Sequence, residues 1–211
     1  MLEARKSPMA SDDDIQSAIE PSGAGPPKAQ AFLLRHLFFP SYCWLTSWKR
    51  ASAVFQAEGK RLLHLTKALP GDVLGQRVLI GPLVGIEDNS RNWSAEMVLE
   101  HLIEAGSVFA EFMVELSNGE KPQIKMDVAA VKPEGGKGIH ILEDYKHFLE
   151  DYAETLSEDI GDMRSTLTHP HPWLGELTAH RWHCLAAVHQ TVHRRQMERL
   201  IAGLGVAELR G

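Results

Sequence analysis

The sequence predicts an all-α fold, a four-helix bundle with long loops between the helices. Four stretches carry apolar residues at intervals of three and four, the spacing that places them on one face of an α-helix. Residues that commonly cap or end helices flank several of these stretches. A chain of 211 residues that is 44% hydrophobic can bury one substantial core, so we expect one main domain.

The first helix is predicted over residues 41–68, where the apolar spacing includes Trp44 and Trp48 and where Pro70 and Gly71 end the pattern. The second helix begins after Ser94, a good N-cap residue, and ends at Asn118 and Gly119. Glu96 falls in its first turn, where the helix dipole favours a negative charge.

The third helix is predicted from Ile141 to Ile160, with its acidic residues mostly away from the apolar face. The fourth helix begins after Thr178, another candidate N-cap, and runs to Gly203. Four amphipathic segments of this length predict a helical bundle.

Two long connections separate the helices, over residues 71–92 and 121–140. Residues 78–80 and 123–131 within them fit short strands or extended loops equally well. Long loops in a compact domain commonly serve a function, so we expect these two to wall the mouth of a pocket.

Residues 1–30 are rich in Asp, Pro and Gly and are predicted to form a disordered N-terminal tail, with the folded domain over residues 31–211. The tail has no apolar core of the kind found in a secretory signal. The most apolar stretch, residues 31–45, is too short to span a membrane. Two cysteines, Cys43 and Cys184, fit a reducing cytoplasm better than a disulfide-stabilised fold.

The net charge of −6 and the absence of a dense basic patch argue against a protein that binds nucleic acid through phosphate contacts. No membrane partner is expected either. The sequence contains no serine elbow, phosphate-binding loop or dinucleotide fingerprint. Any chemistry therefore has to come from another kind of site.

The most informative feature is the pair His189 and His193 in the fourth predicted helix. Residues four apart on a helix point the same way from adjacent turns, so the two imidazoles can chelate one ion. Both fall on the apolar face, where a buried imidazole needs partners for its nitrogens. Imidazole ligands suit zinc, nickel, iron or manganese, of which we expect zinc or nickel.

His101 lies on the apolar face of the second predicted helix. One inward histidine from this helix and the inward pair from the fourth can meet across a bundle and form a three-nitrogen site with open positions. Gln196, one turn beyond His193, is a candidate to orient that ring, and Glu104, near His101, is a candidate to reach the metal or hold a water.

The other histidines receive different predictions. His169 and His171 alternate with prolines and are expected in an extended loop before the fourth helix. On a regular helix His180 points away from His193, and both His180 and His183 are expected at the surface or flank. Cys184 lies on the side of the helix away from the histidine pair and is not expected to be a ligand.

This pattern resembles the DinB-like superfamily over residues 41–203. The resemblance rests on three groups of residues, which are Trp93, Ser94, Met97, His101 and Leu102; then His171, Pro172, Gly175 and Thr178; then His189, His193 and Gln196. It implies a four-helix bundle of DinB-like type whose metal is held by three histidines, carried over here to His101, His189 and His193. It also implies frequent homodimers.

Members of this superfamily include thiol-dependent transferases and isomerases, hydrolases, and proteins whose activity is not established. The resemblance therefore implies a metal-dependent enzyme that activates water or a thiol toward a small-molecule substrate. Two alternatives remain open at this point. One is a non-catalytic protein that keeps the metal for stability or sensing, and the other is a structural bundle whose histidines make only core hydrogen bonds.

Overall fold

A computed structural model of the chain describes residue 25 and residues 27–205, which are mostly helical. The helices are α1 (Lys28–Leu33), α2 (Phe39–Leu45), α3 (Trp48–Lys67), α4 (Ala95–Ser117), α5 (Ile141–Glu158) and α6 (Ala179–Gly203). A π-helical turn, Leu34–Phe38, joins α1 to α2, and short 3-10 turns cover Gly71–Val73, Asp88–Asn92 and Gly138–His140. Two short strands, β1 (Thr168–His171) and β2 (Gly175–Thr178), precede α6.

The four long helices α3, α4, α5 and α6 form a four-helix bundle, as the sequence predicts. Helix α6 packs against both α3 and α4, and α5 packs against the same two helices from the other side. Large side chains from all four helices fill the core between them, among them Phe55, Leu62, Phe112, Leu116, Tyr145 and Trp182.

Two of the predicted helix starts are confirmed in atomic detail. Ser94 Oγ accepts a hydrogen bond from the backbone N–H of Met97 at 3.3 Å, and Thr178 Oγ1 accepts one from Arg181 at 3.4 Å. These bonds satisfy amide groups that the first turn of a helix leaves without a partner. They fix where α4 and α6 begin, and hence the positions of the histidines that follow.

The continuous first helix predicted over residues 41–68 is wrong. The backbone is extended at Thr46, and Ser47 Oγ caps a new helix by accepting the N–H of Arg50 at 3.2 Å. The break turns α2 away from α3 and leaves Trp44 84% exposed, although the apolar spacing placed it in the core. The apolar period alone does not reveal the break because it continues across it.

The all-α prediction also needs correction, because β1 and β2 pair as an antiparallel hairpin. Thr168 lies opposite Thr178, and His171 lies opposite Gly175, which has a φ of 78°. Every strand of a two-stranded sheet is an edge strand, so Pro170 costs the pairing little. The segment predicted as a loop is therefore a hairpin that leads directly into α6.

The two long connections contain no helix or strand beyond the short 3-10 turns, so residues 78–80 and 123–131 form loops rather than strands, with a turn at residues 128–131. The predicted tail over residues 1–30 lies outside the described residues except at its end, where α1 already begins at Lys28. Within the part of the chain that the structure describes, no helix is both long and apolar enough to cross a membrane.

Candidate metal centre

Three histidine side chains from two helices converge at one point in the bundle. His189 Nε2 lies 3.1 Å from His101 Nε2 and 3.1 Å from His193 Nε2. The three ligand atoms all lie within 4.8 Å of one another. Ligands about 2.0–2.1 Å from a tetrahedral ion would be roughly 3.3 Å apart. The two short separations are therefore close to those of nitrogens that share one metal ion.

The outer nitrogens of two rings have fixed partners. His101 Nδ1–H donates to the backbone oxygen of Val131 at 2.7 Å, and His193 Nδ1–H donates to Gln196 Oε1 at 2.6 Å. Gln196 is held in turn, because its Nε2 donates to the backbone oxygen of Ser90 at 2.6 Å. With the Nδ1 hydrogens assigned by this network, both Nε2 lone pairs face His189.

Burial keeps all three imidazoles neutral near pH 7. It lowers the pKa of His101 to about 4, against a smaller opposing effect of the Val131 carbonyl. It lowers the pKa of His193 to about 3, with a further decrease from His101 and a smaller increase from Gln196. The pKa of His189 is well below its ordinary value, first through burial and then through His193 and His101. Neutral nitrogens are the form that binds a metal.

The three Nε2 atoms are better suited to binding one cation than to forming hydrogen bonds with one another. The Nε2 atoms of His101 and His193 are both acceptors, and a neutral His189 offers at most one hydrogen on its own Nε2. One hydrogen cannot make two good hydrogen bonds, so one close nitrogen pair is left with facing lone pairs. A single divalent ion satisfies all three atoms at once.

Helix α4 also holds the loop that supplies the Val131 carbonyl. Glu100 Oε2 accepts the N–H of Gly135 at 2.7 Å, while the Glu96 carboxylate accepts those of Gly136 at 2.8 Å and Gly138 at 2.7 Å. Both carboxylates are buried. The sequence suggested only a dipole role for Glu96. Its part in holding the loop depends on a contact forty residues away that no local pattern reveals.

Glu104 does not join the three nitrogens. No carboxylate belongs to the cluster that the described residues form. Glu104 Oε2 is buried without a hydrogen-bond partner, and burial together with the nearby Glu100 raises the pKa of this carboxyl group. Glu104 therefore lies outside the three-nitrogen cluster, and its role in holding a water stays a prediction.

A cavity of about 300 Å³ opens beside the three histidines. Its walls are mainly apolar and include Phe109, Met126, Val128, Leu174, Leu185 and Val192. Both long connections contribute residues to it, which confirms that these loops wall a pocket. An ion held on one side by three nitrogens would have its remaining positions toward this space.

The prediction that His183 lies at the surface is wrong. It is fully buried, with Nε2 2.8 Å from Ser52 Oγ of α3 and Nδ1 3.1 Å from the Tyr152 hydroxyl of α5. Helix α6 packs against α3 as well as α4, so it has two buried faces rather than one. His180, on the same helix, is half-buried and lies 3.2 Å from the backbone oxygen of Cys43.

The two histidines predicted in an extended loop lie in the strand β1, and both are buried. His169 contacts Phe112 and Trp182, and its Nε2 has no hydrogen-bond partner. His171 lines the cavity beside His189. The alternating His and Pro residues gave no signal for this burial, because it depends on the pairing of β1 with β2.

No family model and no curated protein matches this chain. Among solved structures it is similar to the crystal structure of TT2238, a four-helix bundle protein. The two are 22% identical, and the match covers 72% of this chain and 98% of that chain with a TM-score of 0.47. A likeness at this level carries no information about the site.

Proposed function

We propose that the protein is a DinB-like metal-dependent enzyme, a hydrolase or a thiol-dependent transferase acting on a small-molecule substrate. The observation that carries the proposal is the convergence of three neutral imidazole nitrogens, from His101, His189 and His193, at the wall of an apolar cavity. A purely structural cluster needs no cavity, whereas a reactive metal needs an open position and a space for substrate.

The expected cofactor is a divalent transition metal, zinc or nickel first and iron or manganese as further candidates. When bound by three neutral ligands, such an ion makes a bound water or thiol acidic enough to supply a nucleophile near neutral pH. Three histidine ligands add no negative charge, so they leave the charge of the ion undiminished.

The chain's own residues would orient the ligands and keep bulk water away. Val131 and Gln196 fix the rings of His101 and His193 through their outer nitrogens. The Trp93 ring, whose centroid lies 5.0 Å from that of His101 and 6.0 Å from that of His193, covers the cluster on one side. The apolar cavity walls lower the local dielectric, which strengthens electrostatic effects on a bound substrate.

Metal analysis of the purified protein tests this proposal. We expect about one divalent ion per chain, and a steep loss of metal in His189→Ala and in His193→Ala. His180→Ala is the matched control, since it removes a histidine from the same helix outside the cluster and should retain the metal. Equal loss in all three variants would contradict the proposed ligand set.

An activity screen distinguishes the enzyme from a non-catalytic metal protein. The metal-loaded protein would be assayed with simple esters and amides, and with low-molecular-weight thiols and electrophiles. Turnover that disappears in the His193→Ala variant supports the enzyme. Stoichiometric metal without turnover in any of these assays favours the alternative, a protein that uses the metal for stability or sensing.

We further propose a homodimer in which the exposed apolar side chains of α1, of α2 and of the π-helical turn between them meet those of a second copy. Phe32, Phe38, Trp44 and Leu45 are all exposed there, and an apolar patch of this kind commonly marks an interface. Trp44→Ser should weaken the dimer in analytical ultracentrifugation. A monomeric wild-type protein at micromolar concentration would contradict this proposal.

A cytoplasmic location is also a proposal. Cys43 and Cys184 are both free thiols in the structure, which suits a reducing compartment. Fractionation of the cells that produce the protein, followed by detection with an antibody, would test it. Recovery in a secreted or membrane fraction would count against it.

A further inference from the structure

His171 presents a fixed hydrogen-bond donor to the metal-site cavity. Its Nδ1 accepts two backbone N–H groups from the turn of the hairpin, that of Trp173 at 3.1 Å and that of Leu174 at 3.3 Å. A nitrogen that accepts hydrogen bonds carries no hydrogen, so the neutral ring has its hydrogen on Nε2. The turn thereby sets the tautomer of His171.

The Nε2–H of His171 has no partner among the described residues, although the side chain is only 7% exposed. The residue lines the cavity, and it is close enough to His189 to influence that ring electrostatically. Because the residue lines the cavity, this donor is open to an oxygen acceptor from a molecule that occupies the cavity.

Two cationic side chains line the same cavity. Lys132 comes from the loop between α4 and α5, and Arg195 comes from α6, and neither forms an ion pair with a described residue. Glu87 also lines the cavity, and its Oε1 accepts the N–H of Gly25 at 2.8 Å. The two cationic side chains outnumber this one carboxylate, which favours an anionic ligand.

We propose that the cavity binds a small carboxylic acid with an apolar body, whose carboxylate accepts a hydrogen bond from His171 Nε2 and is attracted by Lys132 and Arg195. The apolar walls would hold the body of the acid, and the volume of about 300 Å³ is sufficient for a compound the size of phenylacetate. A small apolar carboxylic acid is thus the substrate class of the proposed enzyme. The reaction of this acid rests on the proposed function, but its binding to the cavity does not.

Titration calorimetry of the full-length protein with phenylacetate and with phenylacetamide tests the proposal. The two probes share a body and differ in charge, so we expect the carboxylate to bind at least tenfold more tightly. The titration would be done on protein as isolated and after removal of metal by a chelator, with folding checked by circular dichroism. Binding of the acid to metal-free protein separates this site from coordination to an ion.

Three substitutions test the donor and the two cations separately. Asn at position 171 can place its oxygen near the position of Nδ1 and keep the turn, but it removes the Nε2 donor. His171→Asn should therefore weaken phenylacetate binding at least tenfold while the binding of phenylacetamide changes less. Removal of one cation in Lys132→Met or Arg195→Met should weaken the binding of phenylacetate but not that of phenylacetamide. It should also make phenylacetate binding less dependent on salt.

The outcomes separate the two proposals. Phenylacetate binding that depends on His171 in a protein without stoichiometric metal would overturn the proposed enzyme and leave this site standing. Unchanged phenylacetate binding in His171→Asn, equal affinity for the acid and the amide, or no binding of either probe would overturn this site.

Discussion

Gln196→Leu should weaken metal binding strongly, because Gln196 connects His193 to the body of the protein. Gln196 accepts the Nδ1–H of His193 and donates to the backbone oxygen of Ser90, both at 2.6 Å, and is only 1% exposed. Leucine has a similar size but neither polar atom. The substitution therefore leaves a buried donor and a buried acceptor without partners.

The magnitudes follow from these two lost hydrogen bonds. Each unpaired buried group costs about 1–3 kcal/mol, so the free energy of unfolding should decrease by roughly 2–6 kcal/mol. Loss of the group that orients a metal-bound histidine commonly reduces metal affinity by about 10-fold to 100-fold. We expect a decrease in that range for zinc, measured by competition with a chromophoric chelator, alongside urea unfolding of the metal-free protein.

Gln190→Leu is the matched control for this experiment. Gln190 is another buried glutamine of α6, but its Oε1 accepts the hydroxyl of Tyr145 at 2.6 Å, away from the histidine cluster. Its substitution should lower stability by about 1–3 kcal/mol with little change in zinc affinity. Equal zinc affinities in the two variants would refute the reasoning that Gln196 acts through His193.

Two further predictions concern the rest of the fold. Gly106→Ala should destabilise the bundle by about 1–3 kcal/mol in urea unfolding, because a Cβ at this position would overlap the ring of Phe148; unchanged stability would contradict the close packing of α4 on α5. The stability of metal-free protein should fall as the pH decreases from about 6.5 toward 4, and should be fully present above this range. Burial lowers the pKa of His101, His171 and His183 to about 4, so the unfolded state, with ordinary histidine pKa values, binds more protons in this interval. Equal unfolding free energies at pH 7.5 and pH 5 would argue against neutral buried histidines.

The four long helices could be predicted because their signals are local. Apolar spacing and the capping residues Ser94 and Thr178 lie within or beside the helices they define. The break before α3 was missed because Ser47 caps that helix inside an apolar pattern that continues across it. The hairpin was missed because β1 forms only by pairing with β2, and β-structure of this kind depends on tertiary partners more than on local sequence.

In the candidate site, too, features with a local sequence signal could be predicted and features that depend on the fold could not. His189 and His193 could be paired from the sequence because their spacing on one helix fixes their geometry. The resemblance and the apolar face of α4 pointed to His101. The Val131 carbonyl and the tautomer of His171 could not be anticipated, since a backbone oxygen has no residue signature and a tautomer depends on the fold of a turn.

The most direct test of the metal centre is a zinc titration of wild-type protein and of His101→Ala, with metal content measured on both. The remaining pair on α6 would have to complete the coordination of the ion with water after this substitution. The proposal predicts one ion per chain in the wild type and at least a tenfold loss of affinity in the variant, which is about 1.4 kcal/mol or more. No stoichiometric metal in the wild type after reconstitution, or an unchanged affinity in His101→Ala, would contradict a three-histidine centre.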